Sequence, residues 1–127
     1  MGDAAIPGDF FVIEAQVLVP PGAYVVLGET DDQEMNGGVE VAYDWPDIEF
    51  NLTNGIDEVY LYNAEVDVFI SDVEYGYSWF NTGAAMNLDP DSLNEIDNDS
   101  MASWCDATAD FGDAGDKGTP GAANTDC

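Results

Sequence analysis

The chain has 127 residues, of which 27 are Asp or Glu, one is Lys and none is Arg or His, so its formal net charge is −26. Phosphates and anionic lipid headgroups carry the same sign, so we expect no nucleic-acid partner and no binding to bare membranes. The sequence has no run of 18 or more apolar residues, so we also expect no membrane insertion. Hydrophobic residues make up 46% and aromatic residues 12% of the chain, more than in a disordered acidic chain. The composition predicts one folded domain, residues 1–127, with an acidic surface.

The acidic excess also predicts a particular medium. Carboxylates without cationic partners repel one another, and this repulsion destabilises the compact state. Salt at about 1 M, where the Debye length is about 3 Å, would screen it. Bound divalent cations would relieve it as well. We therefore expect a saline or calcium-rich environment.

The first predicted elements form a hairpin-like unit. Alternating apolar residues in 11–19 lead to the turn sequence Pro-Pro-Gly-Ala at 20–23, and the apolar run 24–28 follows. Proline cannot donate to a strand ladder, so the turn separates two strands. Residues 39–44 alternate apolar and polar side chains, which is typical of a strand with one buried face.

A second hairpin is predicted farther along the chain. Residues 58–63 and 66–70 are rich in Val, Ile, Tyr and Phe, and a short polar turn separates them. Between Ile70 and Val73 the alternation slips by one residue. We therefore predict a β-bulge at Ser71 and Asp72, since one extra residue restores the phase.

The remaining elements are short. Residues 83–88 can form one more strand, and residues 90–95, which begin with proline, suit a single helical turn. Short strands separated by Gly, Pro, Asn and Asp are typical of an antiparallel sandwich or a small barrel. We therefore predict an all-β fold.

Three stretches resemble the bacterial branch of the lamin tail domain family: LVPPGAYVVLG at 18–28, EVYLYNAEVDVFISDVEYG at 58–76 and NDSMASWCDATADFGDAGDKGTPGAAN at 98–124. In that branch a proline-glycine turn precedes an apolar strand, a strand pair carries a V/I-D-x-V-x-Y pattern, and the end reads N-W-C followed by G-x-G-D-x-G-T-P-G-A-A-N. The resemblance implies an immunoglobulin-like antiparallel β-sandwich. It also implies a secreted or cell-surface module, of the kind often appended to other domains.

The chain departs from that family in two places. Ser71 stands where the family usually has Asp, and the family's first strands have no counterpart before Asp9. The sandwich is therefore expected to be incomplete at its N-terminal end. Three explanations remain open: the chain is an excised piece, another chain supplies the strands, or this family member is shorter.

The two cysteines, Cys105 and Cys127, would close a loop of about twenty residues, and a disulfide there would contribute roughly 3 kcal/mol of stability. We predict such a disulfide, which would close the C-terminal loop 104–127. The alternative is a pair of free thiols. Zinc is not expected, because its sites are built from Cys and His and the chain has no His.

Acidic side chains cluster near the C-terminus, where they are candidate ligands for Ca²⁺, the one cofactor the sequence suggests. These are Asp89, Asp91, Asp97, Asp99, Asp110, Asp113 and Asp116. Their spacing fits neither an EF-hand nor a calcium-binding repeat. The alternative is a set of solvated acidic loops.

Exposed aromatic residues form the second candidate site. Trp45, Trp79, Phe80 and Tyr77 lie in polar contexts and could stack on a sugar or a protein partner. The alternative is core packing, which we expect for Tyr75 and Trp104.

Catalysis is not expected. A Ser, Thr or Cys nucleophile needs a base, and without His only Lys117 could serve. A paired-carboxylate glycosidase remains formally open. The expected function is a non-catalytic attachment module that binds a protein or a cell-surface polymer.

Two alternatives to that function remain. One is a structural subunit of an extracellular fibre or coat that self-assembles through an open sheet edge. The other is a Ca²⁺-dependent carbohydrate- or protein-binding module of a larger secreted enzyme. In each case the expected location is extracellular, on the cell surface or periplasmic.

Overall fold

The computed structural model describes residues 10–45, 50–112 and 114–127. In these residues the regular structure consists of short strands and three single turns of 3₁₀ helix, which confirms the all-β class. The strands are β1 Leu27–Gly28, β2 Tyr43–Asp44, β3 Asp57–Asn63, β4 Val68–Tyr75, β5 Met86–Leu88, β6 Trp104–Asp106, β7 Asp110–Phe111 and β8 Asp116–Lys117. The 3₁₀ turns are Pro90–Ser92, Asp97–Asp99 and Met101–Ser103. No helix of the described residues is long and apolar enough to cross a membrane.

The first predicted hairpin was wrong, although its turn is present. Gly22 has a φ of 76° and the amide of Ala23 donates to the carbonyl of Pro20 at 3.0 Å, as in a turn that needs glycine at its third position. Residues 11–19 and 24–26 are not strands. Instead β1 pairs in parallel with β2, because tertiary contacts bring residues 42–45 alongside residues 26–28.

Residues 39–44 keep the predicted alternation of burial. Val39, Val41 and Tyr43 are half-buried, whereas Glu40 and Asp44 are exposed. Regular strand pairing is limited to β2 within this stretch. The periodicity therefore predicted the buried face better than it predicted the length of the strand.

The second hairpin is confirmed, since β3 and β4 pair antiparallel along their whole length. The bulge lies earlier than predicted: Leu61 faces Ser71 and Tyr62 faces Phe69, so Ile70 is the extra residue. This shift places Ser71 on the same face as Val73 and Tyr75, which are partly or fully buried. A bulge at Ser71 and Asp72 would have left Val73 and Tyr75 on this face but would have moved Ser71 off it.

The C-terminal part is built around β5. This strand pairs antiparallel with β6 and, at its start, forms a parallel bridge between Ala84 and Lys117 of β8. The amide of Ala85 donates to the carbonyl of Lys117, and the amide of Ala107 donates to the carbonyl of Ala85, each at 2.9 Å. β7 and β8 form a short hairpin at the edge of this arrangement.

The core of the described residues is small. Tyr75 and Ala107 are the hydrophobic residues that are buried, at 6% and 4% exposure. Many large apolar side chains are exposed instead, above all in the β3–β4 hairpin. Soluble monomers rarely expose large contiguous apolar patches, so such a surface points to an interaction.

Candidate functional site

The predicted disulfide is confirmed: Cys105 and Cys127 are bonded, with their Cα atoms 5.8 Å apart. It fastens residues 119–127, here called the C-terminal strap, to β6. The strap also binds β5 and its extension, because Asn124 Nδ2 donates to the carbonyl of Leu88 at 2.8 Å and the Cys127 amide donates to Asp89 Oδ2 at 2.9 Å. The covalent bond and these hydrogen bonds hold the strap against the sheet.

Asn87 lies under the strap and was not identified from the sequence. It is 2% exposed, and its Nδ2 donates to the carbonyl of Thr125 at 2.9 Å. The same nitrogen lies 3.5 Å from Cys105 Sγ and 3.8 Å from Cys127 Sγ. In the sequence, the only indication that Asn87 is buried was its amide side chain in the middle of an apolar strand. The Nδ2 contacts tie β5 to the strap, whereas the buried Oδ1 has no hydrogen-bond partner among the described residues.

Asp89 caps the first 3₁₀ turn and the end of the strap together. Its carboxylate accepts hydrogen bonds from the amides of Asp91 and Cys127. These bonds favour the charged form and lower the pKa of Asp89. The carboxylate is therefore already used by the fold.

The acidic clusters are not assembled into a metal site in the described part of the chain. No group of three His, Cys, Asp or Glu side chains is placed there to hold a metal ion. Asp97 accepts a hydrogen bond from Asn94, and Asp110 pairs with Lys117. Asp91, Asp99 and Asp116 are exposed. The candidate ligand Asp113 lies outside the described residues.

The four candidate aromatic residues are not brought together into one platform. Trp45 packs between Phe11 and Phe50, with ring centroids 5.1 and 5.3 Å away. Trp79 lies 6.2 Å from Trp104. The other two, Phe80 and Tyr77, contact Tyr75 and Gly55 respectively.

Trp104 anchors the hairpin to the C-terminal part. Its Nε1 donates to the carbonyl of Asn98 at 2.7 Å, and Asn98 Nδ2 donates to Ser71 Oγ of β4 at 3.0 Å. Asn98 is buried. Ser71 lies on the base side of the bulge. This contact therefore holds the base of the hairpin and not its outer half.

Beyond that base the hairpin is exposed. Every residue from 61 to 70, here called the hairpin arm, is exposed. Six of them are large and apolar, with exposures between 39% and 64%: Leu61, Tyr62, Val66, Val68, Phe69 and Ile70. Sequence reasoning predicted the strands but not that both faces of their outer half would be exposed.

The arm is ordered by its own side chains. The ring of Phe69 lies 5.8 Å from that of Tyr60 and 4.9 Å from that of Tyr62. The Tyr62 hydroxyl donates to the Asp67 carboxylate, and this hydrogen bond raises the pKa of Tyr62. Asp67 has a φ of 55° in the connecting turn. The arm is therefore a defined surface rather than a loose loop.

Two clefts lie outside the hairpin arm. One, of about 160 Å³, lies beside Tyr75 and Phe80, below the volume of roughly 300 Å³ at which small-molecule sites begin. The other, of about 650 Å³, lies between residues 33–38 and the turn after β7. The amide of Asn36 beside it bonds the backbone of Thr30 and Val39, so this polar group serves the loop.

No protein-family model matches the chain, and no curated protein and no solved structure shows significant similarity to it. Its function must therefore be inferred from its own residues.

Proposed function

We propose that this chain is a non-catalytic, extracytoplasmic attachment module that binds a protein or a cell-surface polymer. The observation that carries the proposal is the hairpin arm, which holds six large apolar side chains, distributed over both of its faces, in contact with water. Covering such side chains is favourable by about 25 cal/mol for each Å² removed from water. An ordered surface of this kind is suited to a partner.

The proposed architecture is an immunoglobulin-like sandwich of the lamin tail type. The three sequence stretches that resemble the bacterial branch support it, as do the strand-only character and the bonded cysteines. Its sheets would be completed by strands that the described residues lack. The exposed apolar side chains favour this idea, since sandwich strands bury alternate residues.

The chemistry of the chain favours binding over catalysis. The sequence has no His, and its only Lys is paired with Asp110, so a nucleophile would find no free nitrogen base in the described residues. The disulfide supports an oxidising location, outside the cytoplasm, on the cell surface or in the periplasm.

A fibre or coat subunit is the second candidate. The observation that favours it is the pairing of the described strands in four two-stranded sheets, because a two-stranded sheet is marginally stable alone in water. Strands from neighbouring copies would extend these sheets. Sedimentation in about 2 M NaCl separates the candidates, since a subunit would form polymers and an attachment module would stay small.

The proposal is tested by attachment to cells of the organism that encodes the chain. We expect fluorescently labelled protein to bind washed cells saturably and to be displaced by unlabelled protein. The control is the chain with its disulfide reduced and alkylated, unfolded and relabelled. Binding no stronger than that of the control, on cells and on their extracellular polymer fraction, would contradict the proposal.

A further inference from the structure

We propose that the hairpin arm is the docking element of this chain, and that its partner is an amphipathic, basic protein segment. The inference rests on the proposed function, because it names the surface and the partner chemistry of the same attachment.

The arm offers apolar side chains on both faces. In an antiparallel pair, side chains of directly opposed residues lie on the same face. Tyr62 and Phe69 are opposed on one face, and Val68 lies with Asn63 on the other, where Leu61 also points. A partner can therefore cover either face without unfolding the hairpin.

All the charge on the hairpin is negative. Residues 57–75 contain six carboxylates and no Lys or Arg: Asp57, Glu58, Glu65, Asp67, Asp72 and Glu74. Glu65 and Asp67 lie within the arm and are exposed, so they border its apolar side chains. A partner that covers the apolar side chains must also neutralise this border, which Lys and Arg do.

A second copy fits this surface poorly. A symmetric contact would place identical patches against each other, and each patch carries only carboxylates. Each copy also carries a net charge of −26, so electrostatic repulsion over the whole surface opposes the approach of a second copy. The same repulsion opposes the binding of nucleic acids and anionic membranes. Basic protein segments are attracted and steered toward the arm.

The base of the hairpin keeps the arm in place. Ser71 Oγ accepts a hydrogen bond from the buried Asn98, and Tyr75, at the C-terminal end of β4, is buried. The docking element thus needs little ordering on binding, and an ordered surface loses less entropy when it binds.

The test uses three synthetic helical peptides and the intact, oxidised chain. The first peptide has a leucine stripe bordered by lysine, the second replaces each lysine by glutamate, and the third scrambles the first. Binding of labelled peptide is followed by fluorescence anisotropy at about 0.1 M NaCl. We expect the first peptide to bind at least tenfold more tightly than the scrambled one, and the glutamate peptide to show no binding.

The variant that tests the surface is Leu61→Thr/Val66→Thr/Val68→Thr. Threonine is β-branched and keeps strand propensity, while the apolar contact is reduced, so we expect at least a tenfold loss of affinity for the leucine-lysine peptide. The matched control is Leu18→Thr/Met35→Thr/Ile96→Thr, which alters three side chains outside the arm that are more exposed, at 74–78% against 45–64%. It should bind as the unaltered chain does.

A second variant tests the proposal even if the first variant does not fold. Glu65→Gln removes one border charge without altering the apolar surface, and we expect a severalfold loss of affinity. Equal binding by the arm and control variants, or equal binding of the glutamate peptide, would overturn the proposal. Self-association through the arm without any peptide would assign it to a second copy instead.

The cell-attachment assay separates this inference from the proposed function. If the arm variant attaches to cells as well as the unaltered chain does, the arm is not the docking element and the attachment function stands. If no form attaches while the peptide test succeeds, the arm recognises basic segments and the proposed function fails.

Discussion

Tyr75 is the residue on which the hairpin and the rest of the described chain converge. Its ring packs 6.2 Å from that of Phe80, and its hydroxyl donates to the carbonyl of Thr53 at 2.8 Å. Burial, and then the charge of Asp57, raise the pKa of the phenol above its ordinary value of 10.0. Core packing was expected for Tyr75 from the sequence, and the residue is buried at 6% exposure.

We expect Tyr75→Phe to lower the free energy of unfolding by about 1 kcal/mol at pH 7, since one buried hydrogen bond is lost. The raised pKa gives a second expectation. Stability from the neutral phenol is intact below pH 10 and declines as the pH rises through the folded-state pKa. The difference between the two proteins should therefore shrink at alkaline pH, as measured by urea unfolding from pH 7 to 11.

Tyr24→Phe is the matched control for that substitution. Tyr24 is exposed, so we expect its hydroxyl to contribute little at any pH. An equal loss of stability in both variants at pH 7 would mean that the Thr53 hydrogen bond contributes nothing.

At the scale of elements, the sequence predicted the structures formed by neighbouring residues better than the pairings between distant ones. The β3–β4 hairpin and the turn at Pro90–Ser92 are set by neighbouring residues, and both were predicted from the sequence. The β1–β2 pair joins residues from distant parts of the chain in parallel, and no local pattern encodes such a pairing. The position of the bulge was missed by one residue because it also depends on which face the rest of the chain covers.

The C-terminal strap is the element whose stability is most readily tested. We expect Cys105→Ser/Cys127→Ser to lower the free energy of unfolding by about 3 kcal/mol, the chain-entropy value for a loop of this size. Amide hydrogens of β5 should exchange faster as well, because Asn124, Thr125 and Cys127 no longer cover it. Urea unfolding and hydrogen exchange measure the two effects.

A reducing agent provides the control for the strap. It should lower the stability of the unaltered chain to that of the double variant and leave the double variant unchanged. Full stability after verified reduction would show that the hydrogen bonds of Asn87, Asn124 and Cys127 hold the strap without the covalent bond.

At the scale of the whole molecule, the sequence predicted the all-β class and the disulfide but not the site. The alternation of β3 and β4 identifies which side chains share a face, yet whether a face is covered depends on contacts between elements. For that reason the hairpin arm became visible only in the structure. Residue type alone predicted one binding surface made of Trp45, Trp79 and Phe80. In the structure these three side chains pack in separate places.

The charge of the whole molecule makes its stability depend on salt. The net charge is −26 and the core of the described residues is small, so repulsion among carboxylates opposes a modest apolar gain. Raising NaCl from about 0.1 M to about 1 M shortens the Debye length from about 10 Å to about 3 Å. If this relieves about 2 kcal/mol of repulsion, Tm should rise by roughly 8 °C.

Partial protonation provides the internal control for that effect. At about pH 3, below the ordinary pKa values of Asp and Glu, most carboxylates are neutral and little repulsion remains for salt to screen. Thermal unfolding followed by circular dichroism should therefore show a steep dependence of Tm on NaCl at pH 7 and a shallow one at about pH 3. Equal slopes at the two pH values would mean that salt acts through apolar burial rather than through charge.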